Sequence, residues 1–169
     1  MPALAVRLLT AVLLPTCLLA CGRSPSALPN SHGSPESLAR AVLSALEKRD
    51  VNALNTLALN EQEFRDHVWS ELPAARPERN LPISFVWGDL HQKSDTNLRQ
   101  TIAKHGGNSY ELVSIRFVRG STDYRSYRVH RESEVTVTDR EGRKQDLRLF
   151  GSVLEKDGRF KVFSYVVDD

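Results

Sequence analysis

YRSYRVHRESEVTVTDREGRKQDLRLFGSVLEKDGRFKVFSYVV, residues 124–167, is the stretch whose reading decides the fold. Its apolar residues recur at every second position, the period of a strand with one face buried. Asp157-Gly158 is a strong two-residue hairpin signal, and Arg140-Glu141-Gly142 suits a three-residue loop with Gly142 left-handed. With the alternation that begins at Tyr110, four strands are expected over 110–119, 124–138, 144–156 and 159–167. The loops then set a register. Asp139 faces Arg143, and counting back pairs Val135 with Leu147, Ser133 with Leu149, Arg131 with Gly151 and Val129 with Val153. Glu134 meets Arg148 on the other face. Across Asp157-Gly158 the pairs are Val153–Val162, Gly151–Ser164 and Leu149–Val166, with Phe150–Tyr165 and Ser152–Phe163 opposite. A slip of one residue sets apolar side chains against charges, which argues for this register.

Upstream the period is helical. Ser34-Pro35-Glu36 combines an N-cap, a first-position proline and an early carboxylate. Leu38, Ala41, Val42, Ala45 and Leu46 follow on one face. Asp50 is placed to cap a second helix carrying Val51, Leu54, Leu57 and Ala58. Asn60, with Glu61 and Glu63, opens a third whose face holds Phe64, Val68 and Leu72, flanked by Trp69, until Pro73 and Pro77 end it. Ile83 to Trp87 is short, apolar and partly β-branched, and reads as a short strand. Ser94 or Asp95 starts a further helix with Leu98 and Ile102, stopped by Gly106-Gly107. Trp69 and Trp87 are expected in the core.

Helices followed by an antiparallel meander make an α+β fold. The expectation is N-terminal helices packed on a curved antiparallel sheet of four long strands plus a short strand, in a single domain over 34–169. In this order the chain resembles the nuclear-transport-factor-2-like or cystatin-like cone, in which helices cross a curved sheet and leave a pocket. Polyketide cyclases, steroid isomerases and non-catalytic envelope lipoproteins share that architecture, so the resemblance leaves function open.

The N-terminus speaks to location. Arg7 precedes an apolar run from Leu8 to Ala20, interrupted by Pro15. The run is shorter than the about 20 residues a membrane-spanning helix needs, and reads as an export signal. Its end, Leu18-Leu19-Ala20-Cys21, resembles the lipobox of bacterial lipoproteins. The resemblance implies cleavage after Ala20, acyl chains on Cys21 and a lipid-anchored protein of the cell envelope. Gly22 in place of an aspartate points to the outer membrane, facing the periplasm, rather than the inner one. Cys17, preceded by Pro15 and Thr16, fits the motif poorly. The alternative is an ordinary secretory signal cut near Ala20. Residues 1–20 are thus a signal, and 21–33, rich in Ser, Pro and Gly, a flexible tether.

Composition narrows the partners. The chain has 23 basic and 21 acidic residues, interleaved without a basic block. Nucleic acid is therefore not an expected partner. The two cysteines are Cys17 and Cys21, so the expected mature domain has neither disulfide nor thiol nucleophile. His32, His67, His91, His105 and His130 match no metal-ligand spacing. No phosphate loop, dinucleotide fingerprint or Gly-x-Ser-x-Gly elbow is present, and no metal or cofactor is expected.

Three groups of residues draw attention. On the derived register Arg131 falls on the apolar face, opposite Gly151 and near Ser164. A guanidinium there either floors a pocket for an anionic or carbonyl ligand, pairs with a helix carboxylate such as Glu71, or is turned outward by a bulge. His67 and Glu71, four residues apart on the third helix, share a face, and His67 or Asp66 would be the acid–base group of a pocket enzyme. The second sheet face carries Phe150, Phe163 and Tyr165 beside His130 and Glu132. Left uncovered, it is an interface for a second copy or for another envelope protein; otherwise Arg148, Lys161 or a helix covers it. With no catalytic motif, the expected role is a membrane-anchored, non-enzymatic binding or assembly module. The alternative is a small isomerase, cyclase or hydrolase, or a small-ligand binder, using the cone interior.

Overall fold

The computed structural model describes residues 28–167, so the signal and Cys21 lie outside the described residues. The fold is α+β, with four α-helices and two antiparallel sheets among the described residues. The helix starts follow local chemistry. α1 (Pro35–Glu47) opens with a capping box between Ser34 and Ser37. Asp50 caps α2 (Val51–Leu57), its carboxylate accepting from the Ala53 N–H at 2.9 Å. Asn60 and Glu63 form a second capping box at the start of α3 (Glu61–His67). Such caps satisfy the orphan N–H groups of a first turn. Three single 3₁₀ turns then run through residues 69–79, two of them begun by Pro73 and Pro77.

The short strand expected over Ile83 to Trp87 is absent. Those residues begin α4 (Ile83–His105), and Ser94 and Asp95 lie in its middle rather than at its start. Four apolar residues among five, Ile83, Phe85, Val86 and Trp87, read locally as strand. Over a longer window Ile83, Val86, Trp87, Leu90, Leu98 and Ile102 recur at helical spacing. Tertiary packing of that stripe outweighs the local propensity.

The strands are β1 (Glu111–Phe117), β2 (Ser121–Asp123), β3 (Arg128–His130), β4 (Ser133–Thr138), β5 (Lys144–Leu147), β6 (Ser152–Lys156) and β7 (Arg159–Ser164). They form a three-stranded sheet in the order β1-β4-β5 and a four-stranded sheet in the order β2-β3-β6-β7. Along the chain this is the expected meander, with the second and third long strands each broken and the short β2 added after β1, so that two sheets replace one. The Asp157-Gly158 turn, both residues left-handed, and the loop closed by Gly142 form as read. Val135 pairs with Leu147, and Val153 with Val162.

The register changes at the break. Glu132 takes a left-handed φ of 55°, and the Ser133 N–H bonds to the Gly151 carbonyl. Beyond it Val129 pairs with Leu154, not Val153, and His130 pairs with Val153. One residue of shift exchanges the two faces. Arg131 is thereby turned outward, and its Nη2 donates to the Arg119 carbonyl at 3.1 Å. Glu134 meets Arg116 of β1 rather than Arg148. Gly151 does not make room for Arg131. A Cβ there would lie 1.6 Å from the Val166 carbonyl oxygen, so this glycine admits the returning C-terminal segment.

Two cores result. In the first, α1, α2 and Leu98 of α4 pack on Val135, Val137, Leu149, Phe150, Val153, Val162 and Tyr165. In the second, Phe64 and Val68 meet Leu28, Tyr127, Val129 and Leu154, with the N-terminal half of α4 against them. Val153 and Leu154, consecutive on β6, belong to different cores, so the four-stranded sheet is covered on both faces. The expected aromatic interface is therefore not a surface. Phe150 and Tyr165 are fully buried in the first core, Phe163 is half-buried against Phe64, and His130 is half-buried on Phe117. Trp69 and Trp87 pack on Phe64, with ring centroids at 6.3 and 5.2 Å.

Residues 28–32, expected within the tether, are packed against the domain. Leu28 is buried, His32 bridges to Phe160, and the Pro29 carbonyl accepts from Lys161 Nζ at 2.9 Å. Lys161 does not lie across an open sheet face. It is 2% exposed and paired with the equally buried Glu63 at 2.6 Å, joining α3, β7 and the N-terminal segment.

Candidate functional site

The break between β3 and β4 is where the sheet meets α4, and a cleft of about 480 Å³ opens there. Its floor is apolar, from Phe64 and Leu90 to Val129 and Phe163. Lys93 and Arg131 are among its polar lining, with Ser164 and Glu132. Such a volume, an apolar wall with a few polar groups, suits a small ligand.

Glu132 is the unusual member. It is 7% exposed, and its Oε2 has no hydrogen-bond partner among the described residues. A buried carboxylate oxygen without a donor is costly to keep. Its backbone is also left-handed, a conformation that a non-glycine residue holds only where its surroundings enforce it. The same break in the strand thus puts a residue with an unmet buried acceptor among those lining the cleft. Lys93 is paired with Asp89 one turn earlier on α4, at 2.8 Å.

The residues singled out in the sequence divide. Arg131, Ser164 and Phe163 line this cleft. Gly151 lies at the corner of the sheet, closed off by Val166. His67 is the last residue of α3, and Glu71 lies beyond that helix in a 3₁₀ turn, so the two do not share a helix face. Glu71 does not meet Arg131. Its carboxylate accepts from the Ser126 N–H at 3.1 Å and lies 3.8 Å from Arg125. Hydrogen bonding from Ser126 holds it below the usual glutamate range. Asp66 is bonded to Gln62 on the exposed face of α3. Neither His67 nor Asp66, the acid–base candidates of the pocket-enzyme alternative, lines the cleft with Arg131.

Sequence reasoning passed over Glu132 as one polar residue of a solvated face. The signal available was the run His130-Arg131-Glu132-Ser133, four polar residues in succession, which interrupts the alternation on both sides of it. Among the described residues no cluster of three His, Cys, Asp or Glu side chains is placed to hold a metal ion. Among the same residues no helix is long and apolar enough to cross a membrane. The chain matches no protein-family model, no curated protein and no solved structure, so the reading of this site rests on its geometry.

Proposed function

We propose that this chain is a lipid-anchored protein of the cell envelope whose domain binds a small amphipathic ligand in the cleft beside α4. The observation that carries the reading is the buried Oε2 of Glu132, without a hydrogen-bond partner among the described residues, on a residue that lines the cleft beside its apolar floor and the cations Lys93 and Arg131. The complementary ligand has a hydrogen-bond-donating head, an ammonium above all, on an apolar body that covers Leu90 and Phe163. The residues lining the cleft include no histidine and no cysteine, which favours binding over chemistry at this point.

The anchor rests on Leu18-Leu19-Ala20-Cys21, and Gly22 favours the periplasmic face of the outer membrane. Leu28, the first packed residue, is seven residues beyond Cys21. At about 3.5 Å per extended residue, an acylated Cys21 keeps the domain within roughly 25 Å of the bilayer. The expected protein partner drew its support from the aromatic face now buried, and is not part of this reading.

The test compares hexylammonium with hexanoate as thermal-shift probes. Hexylammonium should raise the melting temperature of the wild type more than hexanoate does, and Glu132→Gln should remove the difference. Equal shifts in both proteins would sink the cleft reading. In the same preparations Cys21→Ser should move the protein out of the membrane pellet, and retention there would refute the anchor.

A further inference from the structure

Ser121, His130 and Glu155 come from three adjacent strands of the four-stranded sheet, away from the cleft. Ser121 of β2 pairs directly with His130 of β3. His130 pairs with Val153 of β6, which places Glu155, two residues on, along the same face. The side chains meet in a line. Ser121 Oγ lies 2.7 Å from His130 Nδ1, and His130 Nε2 lies 2.7 Å from Glu155 Oε2.

The protons can be placed. An ionised carboxylate only accepts, so the neutral imidazole carries its hydrogen on Nε2. Nδ1 is then the acceptor, and the Ser121 hydroxyl donates to it. That is the tautomer in which the ring can take the hydroxyl proton, with the carboxylate holding the ring and stabilising the imidazolium once it forms. The ring is fixed by packing. It stacks on Phe117 with centroids 4.4 Å apart, and Phe160 lies 6.1 Å away on a tilt of 29°. The His130 side chain is 12% exposed, whereas Ser121 is exposed. Arg128 Nη1 also lies 3.7 Å from the Glu155 carboxylate.

A donor for developing negative charge is also placed. Arg131 N–H bonds to the Gly120 carbonyl, and Tyr124 N–H to the Tyr127 carbonyl. Hydrogen-bonded positions alternate along an antiparallel strand, so the Ser121 N–H lies on the side of β2 away from β3. β2 is an edge strand. The nucleophile's own N–H is thereby available beside its hydroxyl, as oxyanion stabilisation requires.

We propose that Ser121, His130 and Glu155 form a nucleophilic relay that takes acyl groups from small or terminally exposed carboxylic esters presented from solution. Ser121 Oγ attacks the ester carbonyl carbon while its proton passes to His130 Nδ1. The tetrahedral intermediate collapses, the C–O bond to the alcohol breaks, and the leaving oxygen takes the proton from Nδ1. Water, deprotonated by the same nitrogen, attacks the acyl-serine. The carboxylic acid leaves and the proton returns to Ser121. One ester and one water give one acid and one alcohol.

The test is labelling of the purified full-length protein with an alkyl fluorophosphonate, followed by peptide mapping. The serine oxygen displaces fluoride from phosphorus, so the reaction reports the nucleophile itself. One label per chain is expected on the peptide containing Ser121, and none in Ser121→Ala. His130→Gln should slow labelling about 100-fold, the scale of a lost general base. Glu155→Gln, close in shape and partner of the same ring nitrogen, should slow it about 10-fold and keeps the test open where the His130 variant folds poorly. His91→Gln, which removes an exposed imidazole of α4, should leave the rate unchanged. Folded wild type that takes no label at Ser121, or labelling that Glu155→Gln and His130→Gln leave at the wild-type rate, would overturn the proposal.

Discussion

Lys161 and Glu63 show how much one pair of side chains decides. Both are buried, 2.6 Å apart, and Lys161 also bonds to the Pro29 carbonyl while Glu63 caps α3. Removing one partner leaves the other charge buried alone, which costs about 3–5 kcal/mol. Lys161→Met should therefore lower stability by about that amount in urea denaturation. Lys161→Met combined with Glu63→Leu should recover much of the loss, apart from the cap that Glu63 provides. A single variant as stable as the wild type would show that the pair is not buried. Arg131 is the opposite case. It stands out in the sequence as a charge on an apolar face, and in the structure it is an exposed side chain bonded to a backbone carbonyl. The residue that carries the burden is its neighbour Glu132.

At the scale of elements, two glycines make opposite demands. Gly88 sits in the interior of α4, and a Cβ added there meets nothing within 4 Å. Gly88→Ala should stabilise by about 0.5–1 kcal/mol, the entropic cost of a mid-helix glycine. Gly151 sits where β5 turns into β6 under the Val166 carbonyl. Gly151→Ala should destabilise by about 3 kcal/mol, because the clash is with backbone that cannot rotate away. Opposite signs in urea midpoints are the expected result. Equal effects would mean that the corner at Gly151 is looser than described. The same corner explains the register. The caps of α1, α2 and α3 and the two hairpin loops are legible residue by residue, since each is satisfied within a few positions of chain. The shift at Glu132 is not, because it is fixed by what packs above Phe150 and Val129.

The molecule as a whole should respond to pH through two histidines. His105 is buried at the end of α4, its Nδ1 3.2 Å from the Tyr110 hydroxyl. Burial, with Lys104 beside it, holds its pKa below the usual 6.5. His32, bridged to Phe160, is lowered by burial and by Arg159. A base that is harder to protonate folded than unfolded gives stability that is full above pH 6.5 and is lost as pH falls through the lowered folded values. The urea midpoint should therefore drop between pH 7 and 5, above the range in which Glu71, lowered from 4.5, titrates. His32→Gln with His105→Gln should flatten that drop. A wild-type midpoint constant across this window would contradict the burial of His105 and the partial burial of His32.

The sequence by itself determined what neighbouring residues settle among themselves. Ser34, Asp50 and Asn60 start helices because their side chains meet N–H groups within three positions. Asp157-Gly158 turns the chain because both residues accept left-handed backbone. Alternation from Tyr110 onward made a meander and hence an α+β fold. Only the tertiary structure decided which side each strand shows. α1, α2 and Leu98 of α4 cover Phe150 and Tyr165, while α3 and the first half of α4 cover Val129, Leu154 and Phe163, so both faces become core. The stripe from Ile83 to Ile102 becomes one helix because it has two cores to bury against. The cleft and its unpaired carboxylate arise from a one-residue shift between strands, and Ser121, His130 and Glu155, distant in the chain, meet through strand pairing. Such alignments depend on packing between remote segments, where the free energy of burial outweighs any local preference.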